Sequence, residues 1–126
     1  MMDLLSGRRV YAYVKPTDLR KGYDGLSALV EQELGRSALS GDLYLFVSRN
    51  RERSKILMWD GSGLCILMKR LERGRFASLW GRREGDVVRL SRAELSLFLE
   101  GSEAVGRKRL VPEEICASDL AVGSQM

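Results

Sequence analysis

The sequence contains no histidine among its 126 residues. Histidine is the side chain whose ordinary pKa lies nearest neutral pH, and most zinc sites and the Ser-His-Asp and Cys-His nucleophile systems depend on it. Cysteine is almost as scarce, with Cys65 and Cys116 the only two. Their spacing fits neither a metal site nor a disulfide framework, and Cys65 is expected to be a small buried apolar residue. We predict no metal site, no cofactor and a reducing, cytoplasmic setting.

Long apolar runs are also missing. No window approaches the roughly 18 apolar residues of a membrane span, and the first ten residues hold Asp3 and no basic cluster of the kind that directs export. The hydrophobic share of 44% and the charged share of 30% are close to those of globular proteins. We expect a soluble chain without a membrane partner, consisting of one domain over residues 1–101 and a partly ordered tail over residues 102–126.

Positive charge is concentrated in the middle of the chain. Residues 49–92 hold twelve basic and five acidic residues, a net charge of +7, whereas residues 93–126 carry a net charge of −3. Sixteen of the 21 basic residues are arginine, whose planar guanidinium matches phosphate oxygens well. Composition alone favours a polyanionic partner only modestly, because arginine is also common at protein interfaces.

The order of residues predicts a small α+β domain. Alternating and apolar runs predict strands over residues 8–14, 43–48, 55–60, 64–70 and 87–90. Leucines spaced by three and four predict a helix of about four turns, from an N-cap at Thr17 or Asp18 to a stop at Gly35. Ser91 and Glu94 form a capping box for a short helix ending at Gly101. We predict an antiparallel β-meander packed against one longer and one short helix, with residues 71–80 at a sheet edge or in an exposed connection.

Two glycines, Gly22 and Gly25, interrupt the polar side of the longer helix. Each costs about 1 kcal/mol relative to alanine, so they indicate close backbone approach, either to the sheet or to a ligand.

The chain shows no pattern typical of an enzyme. Its acids are scattered, and Asp18, Asp42 and Asp60 are explained by helix starts and turns. A nuclease that uses Asp24 and Asp60 is the weakest of the functional hypotheses, since metal catalysis needs converging carboxylates. Phosphate-binding glycine loops are absent as well. We predict that the protein is not an enzyme.

Two neighbouring groups of basic residues remain after these exclusions, and together they form one basic array. Cations recur at every second residue of the connector from Arg49 to Lys55, and the hairpin at Asp60-Gly61 folds the end of the third strand back beside them. The candidate nucleic-acid-binding residues are Arg49, Arg51, Arg53, Lys55, Lys69, Arg70, Arg73 and Arg75. Phosphate contact is a common use of such crowding. The alternative is a solvated rim in which Glu52 and Glu72 act as counterions.

Three stretches also resemble a known family. TDLRKGYDGLSALV (residues 17–30), LYLFVSRNRERSKILMWDGSGLCILMKRLERGRF (residues 43–76) and VVRLSRAELSLFLEG (residues 87–101) are similar to the TnpB accessory protein of IS66-type bacterial insertion sequences. The family-motif positions singled out here are Asp18, Arg20, Lys21, Asp24, Trp59, Asp60, Glu72 and Phe76. The chain departs from the family at Met58, at Ala77-Ser78 and after Gly101.

The resemblance implies a bacterial protein of a mobile genetic element. It implies partnership with a separately encoded transposase and with another accessory protein of the element, and it carries over no catalytic mechanism. Our leading hypothesis is therefore a non-enzymatic accessory protein of DNA transposition and recombination that binds DNA or the nucleoprotein complex through the basic array. The alternative is a module that binds the transposase without contacting DNA. Its expected anchors are Tyr11, Tyr13, Trp59, Phe76 and Trp80.

Overall fold

Five short strands form one open sheet in the computed structural model. The structure describes residues 6–80 and 85–101. In chain order the elements are β1 (Val10–Tyr13), α1 (Tyr23–Gln32), β2 (Leu43–Val47), β3 (Arg53–Trp59), β4 (Leu64–Arg70), β5 (Val87–Leu90) and α2 (Arg92–Leu99). Within these ranges neither helix has the length and apolar character needed to cross a membrane. The predicted α+β fold is confirmed, whereas the predicted tail lies outside the described residues.

The sheet has the strand order β4-β3-β2-β1-β5. The predicted antiparallel meander is confirmed for β2, β3 and β4. β1 pairs antiparallel with β5 but parallel with β2, because α1 carries the chain back across the sheet between them, as a parallel connection requires. The whole sheet is therefore mixed.

Both faces of the sheet are covered. Tyr11 and Tyr13 point toward α1, where Leu26 and Val30 are completely buried. The opposite face packs against α2 and against residues 76–79. The expectation that residues 71–80 form an edge or an exposed connection is wrong for the second half of that segment. Phe76 is fully buried, with its ring stacked 4.9 Å from that of Phe98.

The longer helix begins later than its apolar spacing predicts. Gly22, not Thr17 or Asp18, is the N-cap of α1. The Asp18 carboxylate instead accepts a hydrogen bond from the Arg20 backbone N–H at 3.0 Å, which closes a local turn before the helix. The predicted stop at Gly35 is confirmed, since this residue has a φ of +66°.

The absence of a side chain at Gly25 leaves space for the side chain of Lys21, four residues earlier. A Cβ atom at this position would lie 3.0 Å from Cβ of Lys21, so the glycine accommodates the Lys21 side chain. A Cβ atom at Gly22 would meet no atom within 4 Å. Close approach to the sheet is therefore not the reason for either glycine, and close approach to a ligand stays a prediction.

The capping box of α2 forms as its sequence predicts. The Ser91 hydroxyl accepts from the Glu94 backbone N–H at 3.0 Å, and the Glu94 carboxylate accepts from the Ser91 backbone N–H. This reciprocal pair satisfies two N–H groups that the first turn of a helix leaves open.

Candidate functional site

A groove of about 850 Å³ opens at the end of the sheet where β2 leads into β3. Three segments build it: the turn after Pro16, the turn between β2 and β3, and the end of β4. The lining residues are Thr17, Asp18, Leu19, Arg20, Ser48, Arg49, Asn50, Arg53, Met68, Arg70 and Glu72. Four arginines face two acids in this set, and we call it the basic groove.

The register between β3 and β4 brings part of the predicted array together. Arg53 is paired with Arg70, and Lys55 with Met68. Alternation places these positions on the face that carries α1, because Leu57 and Ile66 pack there. Lys69 is paired with Ser54 on the opposite face. The hairpin thus folds the end of β4 beside the start of β3 as expected, but it divides the cations between two faces.

Two arginines of the basic groove are held by acids in their own turns. Arg20 forms a two-pronged contact with Asp18, with Nη2 2.7 Å from Oδ2 and Nε 3.0 Å from Oδ1. These hydrogen bonds hold the pKa of the Asp18 carboxyl far below its usual range and raise the pKa of Arg20. Arg70 is paired with Glu72, whose Oε2 accepts from both Nε at 3.3 Å and Nη2 at 3.1 Å. Each of these positive charges is therefore locally compensated.

The uncompensated charge of the basic groove lies on Arg49 and Arg53. Both side chains are exposed, and neither forms an ion pair with any acid in the described ranges. Exposed guanidinium groups keep all their donors available for phosphate oxygens. An anion entering the groove would meet these two groups without first displacing a carboxylate.

Two further members of the predicted array hold the backbone together. Arg51 has a positive φ of 60°, and its Nη1 donates to the Phe76 carbonyl at 3.0 Å while the Phe76 N–H donates to the Arg51 carbonyl at 2.7 Å. Lys55 donates from Nζ to the Lys21 carbonyl at 3.0 Å. The first contact ties the β2–β3 turn to residues 71–76, and the second ties β3 to the segment before α1.

Arg73 and Arg75 lie in the exposed turn that follows β4. This turn stays close to the one between β2 and β3, because the Leu71 N–H donates to the Glu52 carbonyl at 2.9 Å. Neither arginine is among the residues that line the basic groove. They add positive charge beside the groove without forming its wall.

Among the family-motif positions, Asp18, Arg20 and Glu72 line the basic groove, whereas others stabilise the fold. Asp60 accepts at Oδ1 from the backbone N–H groups of Ser62 and Gly63, both at 2.9 Å, which lowers the pKa of its carboxyl. The remaining positions do not line the basic groove. Phe76 is buried, the Trp59 carbonyl accepts from Arg8, and Lys21 and Asp24 are exposed near the start of α1.

The sequence explains Asp42 only as a turn residue, but the structure buries this acid just before β2. Asp42 is 5% exposed and lies within ion-pair distance of Arg9 at 3.3 Å and Arg36 at 3.8 Å. The Arg36 guanidinium also sits 4.0 Å from the centre of the Tyr11 ring. Arg9 lies 33 residues before Asp42, so no local pattern could have revealed the whole cluster.

The aromatic residues expected to anchor a protein partner are largely internal. Tyr11, Tyr13 and Phe76 are buried in the core, and Trp59 and Trp80 are half-buried. The anchor role expected for the first three is wrong, because their rings pack against strands and helices of the same chain.

No three His, Cys, Asp or Glu side chains of the described part cluster so that they could hold a metal ion.

Comparison with known proteins identifies the family of the chain. The family model described as IS66 Orf2 like protein matches residues 8–109. The uncharacterized protein y4hO of Sinorhizobium fredii (strain NBRC 101917 / NGR234) is 37% identical over 100 residues, which cover 78% of this chain and 85% of the relative. The uncharacterized protein y4jC of the same strain is 32% identical over 103 residues, 82% and 86% of the two chains. No solved structure matches the chain significantly. The chain belongs to the IS66 Orf2-like family, the TnpB accessory proteins of IS66-type insertion sequences.

Proposed function

We propose that this protein assists transposition of its element without catalysing a reaction, by holding the phosphate backbone of DNA in the basic groove. The transposase that carries out the chemistry is the separately encoded protein of the element. The DNA can be free or part of the complex that the transposase forms with it.

The observation that carries the proposal is the pair of uncompensated guanidinium groups in the basic groove. Arg49 and Arg53 are exposed and lack an acidic partner in the described ranges. Arg20 and Arg70 lie in the same groove. Clustered arginines repel one another, and phosphate oxygens relieve that repulsion while accepting hydrogen bonds.

The groove chemistry favours the backbone over the bases. Its described lining contains no aromatic side chain on which a base could stack. Phosphate contacts position a protein on nucleic acid without reading its sequence. We therefore expect binding to duplex DNA that depends weakly on sequence and strongly on salt.

The test measures binding of the full chain to a fluorescent duplex of the element's end at several salt concentrations. Replacing Arg49 and Arg53 by glutamine should reduce the slope of log affinity against log salt by about 1.8, which corresponds to two lost phosphate contacts. The matched control replaces Arg89 and Arg92 by glutamine. These two exposed arginines of β5 and α2 lie outside the basic groove.

Two results of the salt titration would contradict DNA binding in the basic groove. Absence of binding at low salt, or binding that does not change with salt, would exclude the DNA role and favour a module that binds the transposase alone. Equal slopes for the groove variant and the control variant would show that DNA contacts another surface. A pull-down with the transposase, with and without end DNA, distinguishes a direct protein contact from one bridged by DNA.

A further inference from the structure

The outermost strand on one side of the sheet, β4, leaves its outer edge without a partner strand among the described residues. It pairs with β3 over seven consecutive positions with no bulge. Backbone N–H and C=O groups therefore alternate along an open edge seven residues long. Such an edge is a template for another strand.

The strand lacks the usual features that protect an open edge. Natural edge strands are blunted by charges, prolines, bulges or short length. β5, the opposite edge, has four residues, of which Arg89 is exposed. The first five residues of β4, Leu64 to Met68, carry no charge, proline or glycine. Met68 is 60% exposed.

The apolar clusters on the two faces of the sheet both extend to β4. Leu64 and Ile66 pack against the cluster on the α1 side, and Cys65 and Leu67 pack against the cluster on the α2 side. All four are only half-buried. A strand added at the edge would cover apolar surface on both faces of the sheet.

We propose that β4 pairs antiparallel with β4 of a second copy of this chain, with Ile66 of one copy opposite Ile66 of the other. This register sets Leu64 opposite Met68 and Cys65 opposite Leu67. All five uncharged residues thus face uncharged residues. A two-fold axis perpendicular to the sheet relates the copies, so the same face of each sheet lies on the same side.

Charge selects this arrangement over a parallel one. A parallel pair in register would set Lys69 and Arg70 directly beside the same cations of the second copy, which is repulsive. In the antiparallel register each Arg70 lies four residues from the centre, so the two Arg70 positions are about 27 Å apart along the strands at 3.4 Å per residue. The cationic end of each β4 instead reaches the hairpin tip of the other copy, which carries the exposed Asp60.

The dimer has a consequence for the geometry of the basic grooves. Arg53 and Arg70 lie on the α1 face of the sheet, and the two-fold axis keeps that face on one side. The two grooves of the dimer therefore open on the same side of a continuous sheet of ten strands. Dimerisation itself does not depend on DNA binding, and its test is separate.

The first test measures the molar mass of the full chain by light scattering and sedimentation over a concentration series without DNA. We expect a dimer, and we expect Met68→Lys to weaken it by about tenfold or more, because a charge enters the apolar edge. Leu39→Lys is the matched control, since Leu39 is also exposed, at 54%, and lies outside the strands. It should leave the dissociation constant unchanged.

The second test determines the register with single cysteines in a chain whose Cys65 and Cys116 are replaced by serine. Facing positions on antiparallel strands have Cα atoms about 4.5–5.5 Å apart, within the span of a disulfide. Ile66→Cys should therefore form a disulfide-linked dimer on oxidation. Met68→Cys should not link to itself but should link to a chain that carries Leu64→Cys.

Three results would overturn the proposal. The first is a chain that remains monomeric at millimolar concentration. The second is self-linking of Met68→Cys without linking to the Leu64→Cys chain, which indicates a parallel pair. The third is a monomeric chain in which Met68→Lys weakens only transposase binding, which would assign the edge to a strand of that partner. Because Met68 is exposed, its variants keep the test valid even if Ile66→Cys disturbs folding.

Discussion

Arg53 and Arg70 occupy directly paired positions on β3 and β4, and both line the basic groove. Like charges directly opposite one another on antiparallel strands lower stability. Glu72 compensates only Arg70, with which it forms an ion pair at 3.1 Å. The fold thus retains a repulsive pair at the place where a bound anion would relieve it.

Replacing Arg53 by glutamate converts this repulsive pair into an attractive one. We expect the free energy of unfolding to rise by about 0.2–1 kcal/mol at low salt, while affinity for duplex DNA falls. Urea denaturation measures the first effect and fluorescence anisotropy the second. The control is Arg89→Glu, an exposed strand position that faces Tyr11, which should not gain stability. An Arg53→Glu chain no more stable than the original would show that the repulsion is already screened by water.

Asp18 limits the charge that the basic groove offers to DNA, because its carboxylate holds the Arg20 guanidinium at two points. Asp18→Asn releases that guanidinium, so affinity for duplex DNA should rise. The slope of log affinity against log salt should steepen by up to about 0.9, the value for one added phosphate contact. Asp24→Asn is the matched control, an exposed acid of α1 outside the groove lining. If both variants raise affinity equally, the effect is one of net charge and not of Arg20.

Most strands could be predicted from the sequence because their signals are local. The bounds of β4 and β5 agree with those expected from apolar runs and flanking turns. The capping box at Ser91 is complete within four residues. These patterns need no knowledge of the rest of the chain, and the structure confirms them.

The start of α1 could not be predicted in the same way. Thr17 and Asp18 are good N-cap residues, but Asp18 bonds to Arg20 in a local turn instead. The Thr17 N–H donates to the Val47 carbonyl at 2.9 Å, which ties this segment to the end of β2. A distant backbone contact thus overrides a local helix signal.

The division of the basic array was likewise beyond sequence reasoning. The expectation that alternate residues project to one side holds only where the backbone is extended, and Arg51 lies in a turn with a positive φ. Its side chain binds the Phe76 carbonyl, 25 residues away. That the eight cations bind DNA stays a prediction, and the structure directs its test to Arg49 and Arg53.

Phe76, one of the family-motif residues, lies in the core. Its ring is stacked 4.9 Å from that of Phe98, and both residues are fully buried. Phe76→Ala should lower the free energy of unfolding by about 3–5 kcal/mol. A cycle of Phe76→Leu, Phe98→Leu and the double variant should give a coupling of about 0.5–1.5 kcal/mol from the ring pair. Additive effects in urea denaturation would contradict a direct contribution of the stacked rings.

The hairpin between β3 and β4 depends on an ionised Asp60. Two backbone N–H groups donate to its Oδ1, and they hold the pKa of the folded state below the ordinary value of 3.8. A lowered pKa in the folded state stabilises the protein at pH above the unfolded-state value, and this stabilisation is lost as the pH falls through the folded-state pKa. We therefore expect part of the free energy of unfolding to disappear as the pH falls below 3.8 toward that lower value.

The variant Asp60→Asn separates this effect from other titrations. Its amide oxygen still accepts from the two N–H groups, but it carries no charge and does not titrate in this range. The difference in unfolding free energy between the original chain and Asp60→Asn should be constant above about pH 5 and should shrink as the pH falls below 3.8. Asp18→Asn should behave similarly, because the pKa of Asp18 is also lowered. The two effects should add in the double variant, since they arise in separate turns. A difference that stays constant down to pH 2 would show that the charge of Asp60 does not stabilise the hairpin, and that its oxygen acts only as a neutral acceptor.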